Sequence, residues 1–317
     1  MSRGSLVRLA TLGSIWGSSF LLIKLAIEGV SPLQLVLGRL LAGSLVLLAI
    51  LAVRGLALPR DPKLWAHLAL MGVVANIVPF FLFGWGEQRI SSGLAGVLNG
   101  ATPLFTLALA VAALPEERLS ATRLVGLVTG FVGVVLVVGP WDQNPLTSSV
   151  SGQLACLLAA ACYGVALVYM RRFVTNRGVP TIVLATSQLT IATVMLAASA
   201  PLLMREPMTL TFSVVASVVA LGALGTGIAY VLFYRLITDA GPTNASMVTY
   251  LIPIVAVVLG AVLLGEPVTW NLFVGAGVVI LGVALAEGRL TRRQRDDQCA
   301  ANVEEPPAVA AGAEAKG

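Results

Sequence analysis

Between Ser92 and Val138 the chain holds an apolar hairpin with Asn99, Thr102 and Pro103 in its first arm and Glu116 at its turn. Between Thr243 and Val283 it holds that hairpin a second time. Laying Leu82-Phe83 on Leu232-Phe233 brings Pro103 onto Pro253 and Glu116 onto Glu266, and a slip of one residue in the turn brings Gly126 onto Gly275 and Gly133 onto Gly282. Each copy is an apolar arm, an acidic turn and a glycine-bearing apolar arm. A chain built this way has two related halves, and every other segment has to fit around them.

The length of the arms decides the medium. Each is a continuous apolar run of about 20 residues, the length with which a helix crosses a hydrocarbon core about 30 Å thick. Barrel strands would instead alternate over about ten residues. The whole chain follows suit: 57% of its 317 residues are hydrophobic and 11% charged, against about 25% charged in soluble domains. The sequence therefore predicts an all-α integral membrane protein with ten transmembrane helices. They are placed near Leu6 to Ile27, Pro32 to Val53, Leu64 to Gly86, Ser92 to Leu114 and Ala121 to Val138 in the first half. In the second half they fall near Ser151 to Met170, Val179 to Leu203, Phe212 to Leu236, Thr243 to Leu264 and Trp270 to Ala286. Residues 1–140 and 150–287 form the two five-helix repeats. Residues 288–317, first basic and then acidic and rich in Pro and Ala, are expected to be a disordered tail.

Charge supplies an independent check. Counted on alternate sides of these spans, sixteen of the 20 Lys and Arg fall on one side and only Arg89 and Arg205 on the other, with Lys24 and Arg39 inside spans. The positive-inside rule then puts both termini in the cytoplasm of a multi-pass plasma (inner) membrane protein. Five spans per half is an odd number, so the second half enters from the opposite face and the repeats are inverted. Inverted halves have two related arrangements, one open to each side, which is the geometry of alternating access. The net charge of +5 is explained by orientation in the lipid bilayer, and no nucleic-acid partner is expected.

Trp16-Gly17-Ser18-Ser19-Phe20 followed by Lys24, Pro32 with Arg39 in the next span, and the Pro103 to Glu116 and Pro253 to Glu266 hairpins together resemble the EamA family of the drug/metabolite transporter superfamily. The resemblance covers about Leu6 to Glu287. It implies ten helices in two inverted repeats and a small-molecule substrate such as an amino acid, another metabolite or a toxic amphiphile, mostly exported. The second turn has the family's Gly265-Glu266-Pro267, whereas the first has Pro115-Glu116-Glu117. Related small multidrug transporters bind cations at a glutamate in their first helix, where this chain has Trp16, Ser18 and Ser19.

Candidate binding residues are the polar and amphipathic side chains inside spans. Lys24 and Arg39 lie roughly 5 and 10 Å from the outer ends of their helices. Lys24 can snorkel to headgroups or face inward. Arg39, deeper, is expected to face a polar cavity or a structural carbonyl, and a substrate carboxylate is a natural partner. Trp16, Ser19, Asn76, Asn99, Thr102, Tyr163, Gln188, Asn244, Thr249 and Tyr250 complete the set; uncharged polar residues of this kind also bridge helices structurally. Pro79, Pro103 and Pro253 free backbone carbonyls and are candidate hinges or static kinks. Gly222, Gly225 and Gly227 are expected to be close-packing positions, and Glu116 and Glu266 to accept the N-terminal amides of the fifth and tenth spans. Every Asp and Glu falls at a helix end or in a loop, which argues against proton antiport.

Three cysteines without metal-ligand spacing, a lone His67 and the absence of HExxH, GxSxG or P-loop patterns argue against a metal site, a cofactor and an enzyme. A secondary exporter of a small amphipathic metabolite such as an amino acid is the leading reading. A lipid flippase or structural membrane subunit is the alternative, and the oligomeric state is left open.

Overall fold

The computed structural model describes residues 1–115, 117, 119–139 and 149–288. Glu116, Cys299 and the tail from residue 289 lie outside the described residues. The first half comprises α1 (Arg3–Ala26), α2 (Pro32–Val53), α3 (Pro62–Gly72), α4 (Val78–Glu87), α5 (Ser92–Asn99), α6 (Thr102–Ala113) and α7 (Ala121–Val138). The second comprises α8 (Val150–Phe173), α9 (Thr181–Leu203), α10 (Phe212–Gly222), α11 (Ala229–Ala240), α12 (Pro242–Ala245), α13 (Val248–Leu264) and α14 (Trp270–Ala286). A π-helical turn, Val73–Ile77, fuses α3 and α4 into one span, and a second, Ala223–Ile228, fuses α10 and α11. Eight apolar spans of 18 to 29 residues result. The helices α13 and α14, 17 residues each, are about 25 Å long, at the short end of what crosses a bilayer.

Local chemistry explains where the spans start and where they depart from straight helices. Ser31 and Gln34 form a capping box with Pro32 in the first turn of α2, and Ser120 and Thr211 cap α7 and α10 by accepting the amides of Arg123 and Val214. Pro79 has no N–H for the carbonyl one turn back. The preceding π turn absorbs the defect, with the Val78 amide reaching five residues back to Val73. The second π turn occurs without a proline; glycines 225 and 227 occupy it instead.

Three of the expected spans differ in the structure. The predicted fourth span is not one kinked helix: it breaks at Gly100-Ala101, and Pro103 sits in the first turn of α6. The predicted ninth span likewise divides, between Ala245 and Val248, while Pro253 lies within α13. The eighth span runs beyond the predicted Leu236 to Ala240, ended by Gly241 at φ 82°.

The halves meet along α7 and α14. On α7, Val128, Val132 and Val135 are exposed toward lipid while Gly126, Gly130 and Gly133 are buried. A Cβ at Gly126 would overlap the backbone of Ala286 and Gly282, and one at Gly133 would overlap the backbone of Val279. Reciprocally, a Cβ at Gly275 would come within 2.7 Å of the Val137 amide, and one at Gly282 would overlap Gly130. The residue order along the two helices is opposite. Because α7 and α14 are equivalent spans, this antiparallel seam is the direct mark of inversion, and glycines permit the backbone approach as they do between helices in lipid. The same exchange relates outer contacts: Gly17 packs on Val255, and Gly164 packs on Phe105.

Candidate functional site

Each π turn presents one polar side chain to the other half. Arg39 on α2 donates from Nε to Thr226 Oγ1 at 3.1 Å, in the second π turn. Gln188 on α9 donates from Nε2 to Asn76 Oδ1 at 2.6 Å, in the first. Residues 39 and 188 are 149 positions apart, and residues 76 and 226 are 150 apart, so one interaction is made twice around the pseudo-twofold axis. Small residues bring these backbones together at the same register: Gly72 lies against Ala192 and the Gln188 carbonyl, and Gly222 against Ala42, Gly43 and the Arg39 carbonyl. Thr226 also donates to the Leu221 carbonyl, 3.1 Å away and five residues back.

The two versions differ in charge. Arg39 is 8% exposed, its guanidinium carbon lies 3.7 Å from the centre of the Phe80 ring, and Nε is its hydrogen-bonding nitrogen. Among the described residues its terminal nitrogens form no hydrogen bond, and no carboxylate is within ion-pair distance. Tyr163, Tyr230 and Glu87 are the titratable groups with which it interacts electrostatically. A buried guanidinium whose fork is left open can receive a planar anion such as a carboxylate in two parallel hydrogen bonds.

Several predicted residues gather here. Asn76 donates to the Tyr230 hydroxyl at 3.4 Å, and Trp16 Nε1 donates to the Gly225 carbonyl of the second π turn at 3.1 Å. Ser19 is buried and bonded to the Ile15 carbonyl, and faces Gly225. Tyr163 packs on Phe83 at a ring distance of 6.2 Å and joins the two larger apolar clusters. Lys24 does not snorkel: its ammonium is held by the Glu87 and Ile90 carbonyls, the latter at 2.9 Å.

The remaining candidates lie apart. Thr102 bonds Asn99 at 3.4 Å across the break of the fourth span. Asn244 bonds the Ala240 carbonyl, Thr249 bonds the Ser246 carbonyl, and the Tyr250 hydroxyl donates to Glu287 at 2.9 Å. These three belong to the end of the bundle that carries Arg3, Arg8 and Arg54, the basic end. Of the hinge candidates, Pro253 packs against Gly100, so the two broken spans touch.

Thr226 and Phe80 are not singled out by the sequence, and Tyr230 reads there as one of several amphipathic rings suited to the membrane interface. The repeat register held the signal for Thr226, which it places on Asn76. Glu87 was placed correctly at a helix end, yet it is completely buried and neither of its carboxylate oxygens has a partner. Glu266 does accept helix N-terminal amides, but those of α5, not the tenth span. Its oxygens receive the Ser92 amide at 2.8 Å, the Ser92 hydroxyl at 2.9 Å and the Gly93 amide at 3.0 Å.

The two ends of the bundle are unlike. At the basic end a cavity of about 320 Å³ is lined by Arg54, Thr181, Ile182, Val231, Tyr234, Arg235, Thr238 and Asp239. Tyr234 and Tyr230, one turn apart on α11 with rings 6.2 Å apart, lead from it to Asn76. At the same end of the bundle Glu117 accepts from Arg171 at 2.6 Å and Arg123 at 2.9 Å, and these hydrogen bonds, Arg171 first, hold its carboxyl below the usual range. The far end is tied shut across the halves. Thr209 donates to the Gly29 carbonyl at 2.8 Å, Gln34 to the Glu206 carbonyl at 2.7 Å, and Glu266 clamps α5. Among the described residues no group of three or more His, Cys, Asp or Glu could hold a metal ion, and Cys156 and Cys162 are free.

The EamA-like transporter family matches residues 5–139 and 150–287, once per half. The chain belongs to the EamA-like transporter family. Its curated relatives match it over most of their length. The uncharacterized transporter YdfC of Bacillus subtilis is 29% identical, over 85% of this chain and 86% of its own. The uncharacterized inner membrane transporter YedA of Escherichia coli is 29% identical over 86% of each. A probable terminal-alkyne amino-acid exporter of Streptantibioticus cattleyicolor is 27% identical over 89% of this chain and 92% of its own. A crystal structure at 23% identity superposes with a TM-score of 0.65, covering 93% of this chain and 99% of that one, which extends the agreement to the fold. This EamA-family chain is a multi-pass membrane protein, and its family and relatives are transporters.

Proposed function

We propose that the chain exports a small amphipathic metabolite bearing a carboxylate, such as an amino acid, by alternating access between its inverted halves. The open guanidinium fork of Arg39, buried where the second π turn meets α2, carries this reading. Around it the aromatic rings of Phe80, Tyr163 and Tyr230 offer apolar surface to the rest of such a molecule. The cavity at the basic end has the size of a small-metabolite site and is the approach from the cytoplasm. Its relation to the sealed far end makes this the inward-facing arrangement, with residues 1–140 and 150–287 as the two moving units. The relative named as an amino-acid exporter favours the same substrate class.

The charge asymmetry orients the molecule with both termini in the cytoplasm. A reporter fused after Gly288 is expected to be active only as a cytoplasmic reporter; a periplasmic signal overturns the orientation. For substrate, cells expressing the protein are challenged with amino acids and amphiphiles at toxic levels, and the hits are assayed with purified protein in liposomes. Resistance and substrate efflux by amino acids support the reading. Movement of lipid analogues without that of any soluble metabolite overturns it in favour of a flippase.

A further inference from the structure

Glu87 is the one residue among those described that places a carboxyl group wholly inside the protein with both oxygens unpartnered. It ends α4 at the far end, where the halves are tied together. The charged and titratable groups facing it are Lys24 from α1, Arg39 from α2, Cys156 from α8 and Glu266 from the turn before α14. Neither cation closes on it. The Lys24 ammonium is spent on the Glu87 and Ile90 backbone carbonyls, and Arg39 turns to Thr226. The nearby negative charge, Glu266, has its own three donors in Ser92 and Gly93.

An ionised carboxylate sealed from water without donors is among the least favourable things a protein can bury, and the group neutralises instead. The neutral acid carries no net charge, and what is left unmet is one O–H donor and one carbonyl acceptor. An opening of the far end would bring water to the carboxyl and leave the Lys24 ammonium, now bound to the Glu87 and Ile90 carbonyls, close by. We infer that Glu87 is a proton-binding site whose occupation is required for the far end to close: closure takes one proton from the solution on that side, and opening returns it. Atoms balance, since the proton is the only species that moves, from water to a Glu87 oxygen and back. This deepens the transport reading and rests on it for the meaning of closure, but the proton linkage is measurable without any substrate.

Cys156 is a built-in reporter, because its sulfur packs against Gly86 beside Glu87 and is fully buried when the far end is shut. In full-length protein in nanodiscs carrying Cys162→Ala and Cys299→Ala, the rate of Cys156 modification by a hydrophilic thiol reagent follows opening. The rate is compared between Glu87 and Glu87→Gln from pH 5 to 7.5, below the ordinary thiol range of about 8.5, where the influence of the Glu87 charge on the facing thiol enters the ratio only as a constant factor. The ratio is expected to rise with pH, by up to about tenfold per unit as linkage of one proton requires. A ratio independent of pH overturns the inference. Should Glu87→Gln fail to reach the membrane, the rate for the Glu87 protein is divided by that of the denatured protein at each pH, and an invariant quotient overturns it equally. If pH-linked opening is present but no metabolite is carried, the transport reading falls and the proton site stands. If metabolite is carried and the ratio is flat, the reverse holds.

Discussion

Replacing Arg39 by Gln separates the roles open to a buried cation. In the structure Arg39 contributes one hydrogen bond to Thr226 and one face-on contact with Phe80, the latter worth up to about 2 kcal/mol when desolvated. Against these stands the desolvation of a guanidinium with no anion beside it, several kcal/mol by general reckoning. The opposing contributions are of similar size, so Arg39→Gln should leave the melting temperature and the amount of folded protein nearly unchanged. Substrate binding has no such compensation. A charged hydrogen bond to a carboxylate contributes about 1.5 to 3 kcal/mol, so Kd for the identified substrate should rise about tenfold or more, and Arg39→Lys should recover part of it. Calorimetric binding, liposome transport and thermal melting are measured on the same purified variants. Unchanged affinity with normal melting refutes the assignment of Arg39 to substrate. Poor expression or a large loss of thermal stability refutes the balance just drawn and makes Arg39 structural.

Gly282→Leu should abolish accumulation in the membrane, because the added side chain meets the Gly130 backbone and not a movable side chain; Gly277→Ala, with nothing within 4 Å, should be tolerated, and a quantitative membrane blot compares them. Gln188→Ala leaves the Asn76 carbonyl oxygen, in a side chain with no exposure, without its partner, and should destabilise by about 1 to 3 kcal/mol in detergent melting; no loss would show that the repeated pair contributes little to stability. Glu117 is held below the ordinary carboxyl range by Arg171 and Arg123, so its stabilising contribution is present above the unfolded value of about 4.3 and is lost as pH falls through the folded one. Melting scans below that value should therefore drop more steeply for the native protein than for Glu117→Gln, and high salt should shrink the difference because these pairs are partly exposed.

The sequence discloses the fold well because membrane helices are specified by length and apolarity, and both are local properties. Inversion was legible for the same reason: an odd number of spans per half follows from counting. What counting misses is where a helix departs from regularity. Pro103 announced an irregularity, but whether it bends a helix or divides it depends on neighbours such as Pro253 against Gly100. The second π turn has no proline to mark it. The polar pairs at the π turns were legible where polarity is anomalous within a span, as at Arg39, Asn76 and Gln188. Glu87 shows the limit, since nearness to a span end does not tell how many other chain segments close over that end. Tyr230 was similarly hidden, because a span ending at Leu236 makes its ring resemble an interfacial one, whereas the helix runs on to Ala240 and sets Tyr230 farther in.

The glycine seam bears on how such a molecule can come into being. A single half, cut after α7, would carry a strip of bare backbone that lipid chains cannot fill as closely as another backbone does. The face complementary to that strip is the same strip, turned upside down. A half-length chain could cover it only with a second copy inserted the opposite way through the membrane, which requires a weak charge bias and a population divided between two orientations. Joining the halves in one chain, with an odd number of crossings in each, removes that division: every molecule is born with one half of each orientation, in equal number, and the charge bias is free to become as strong as it is here.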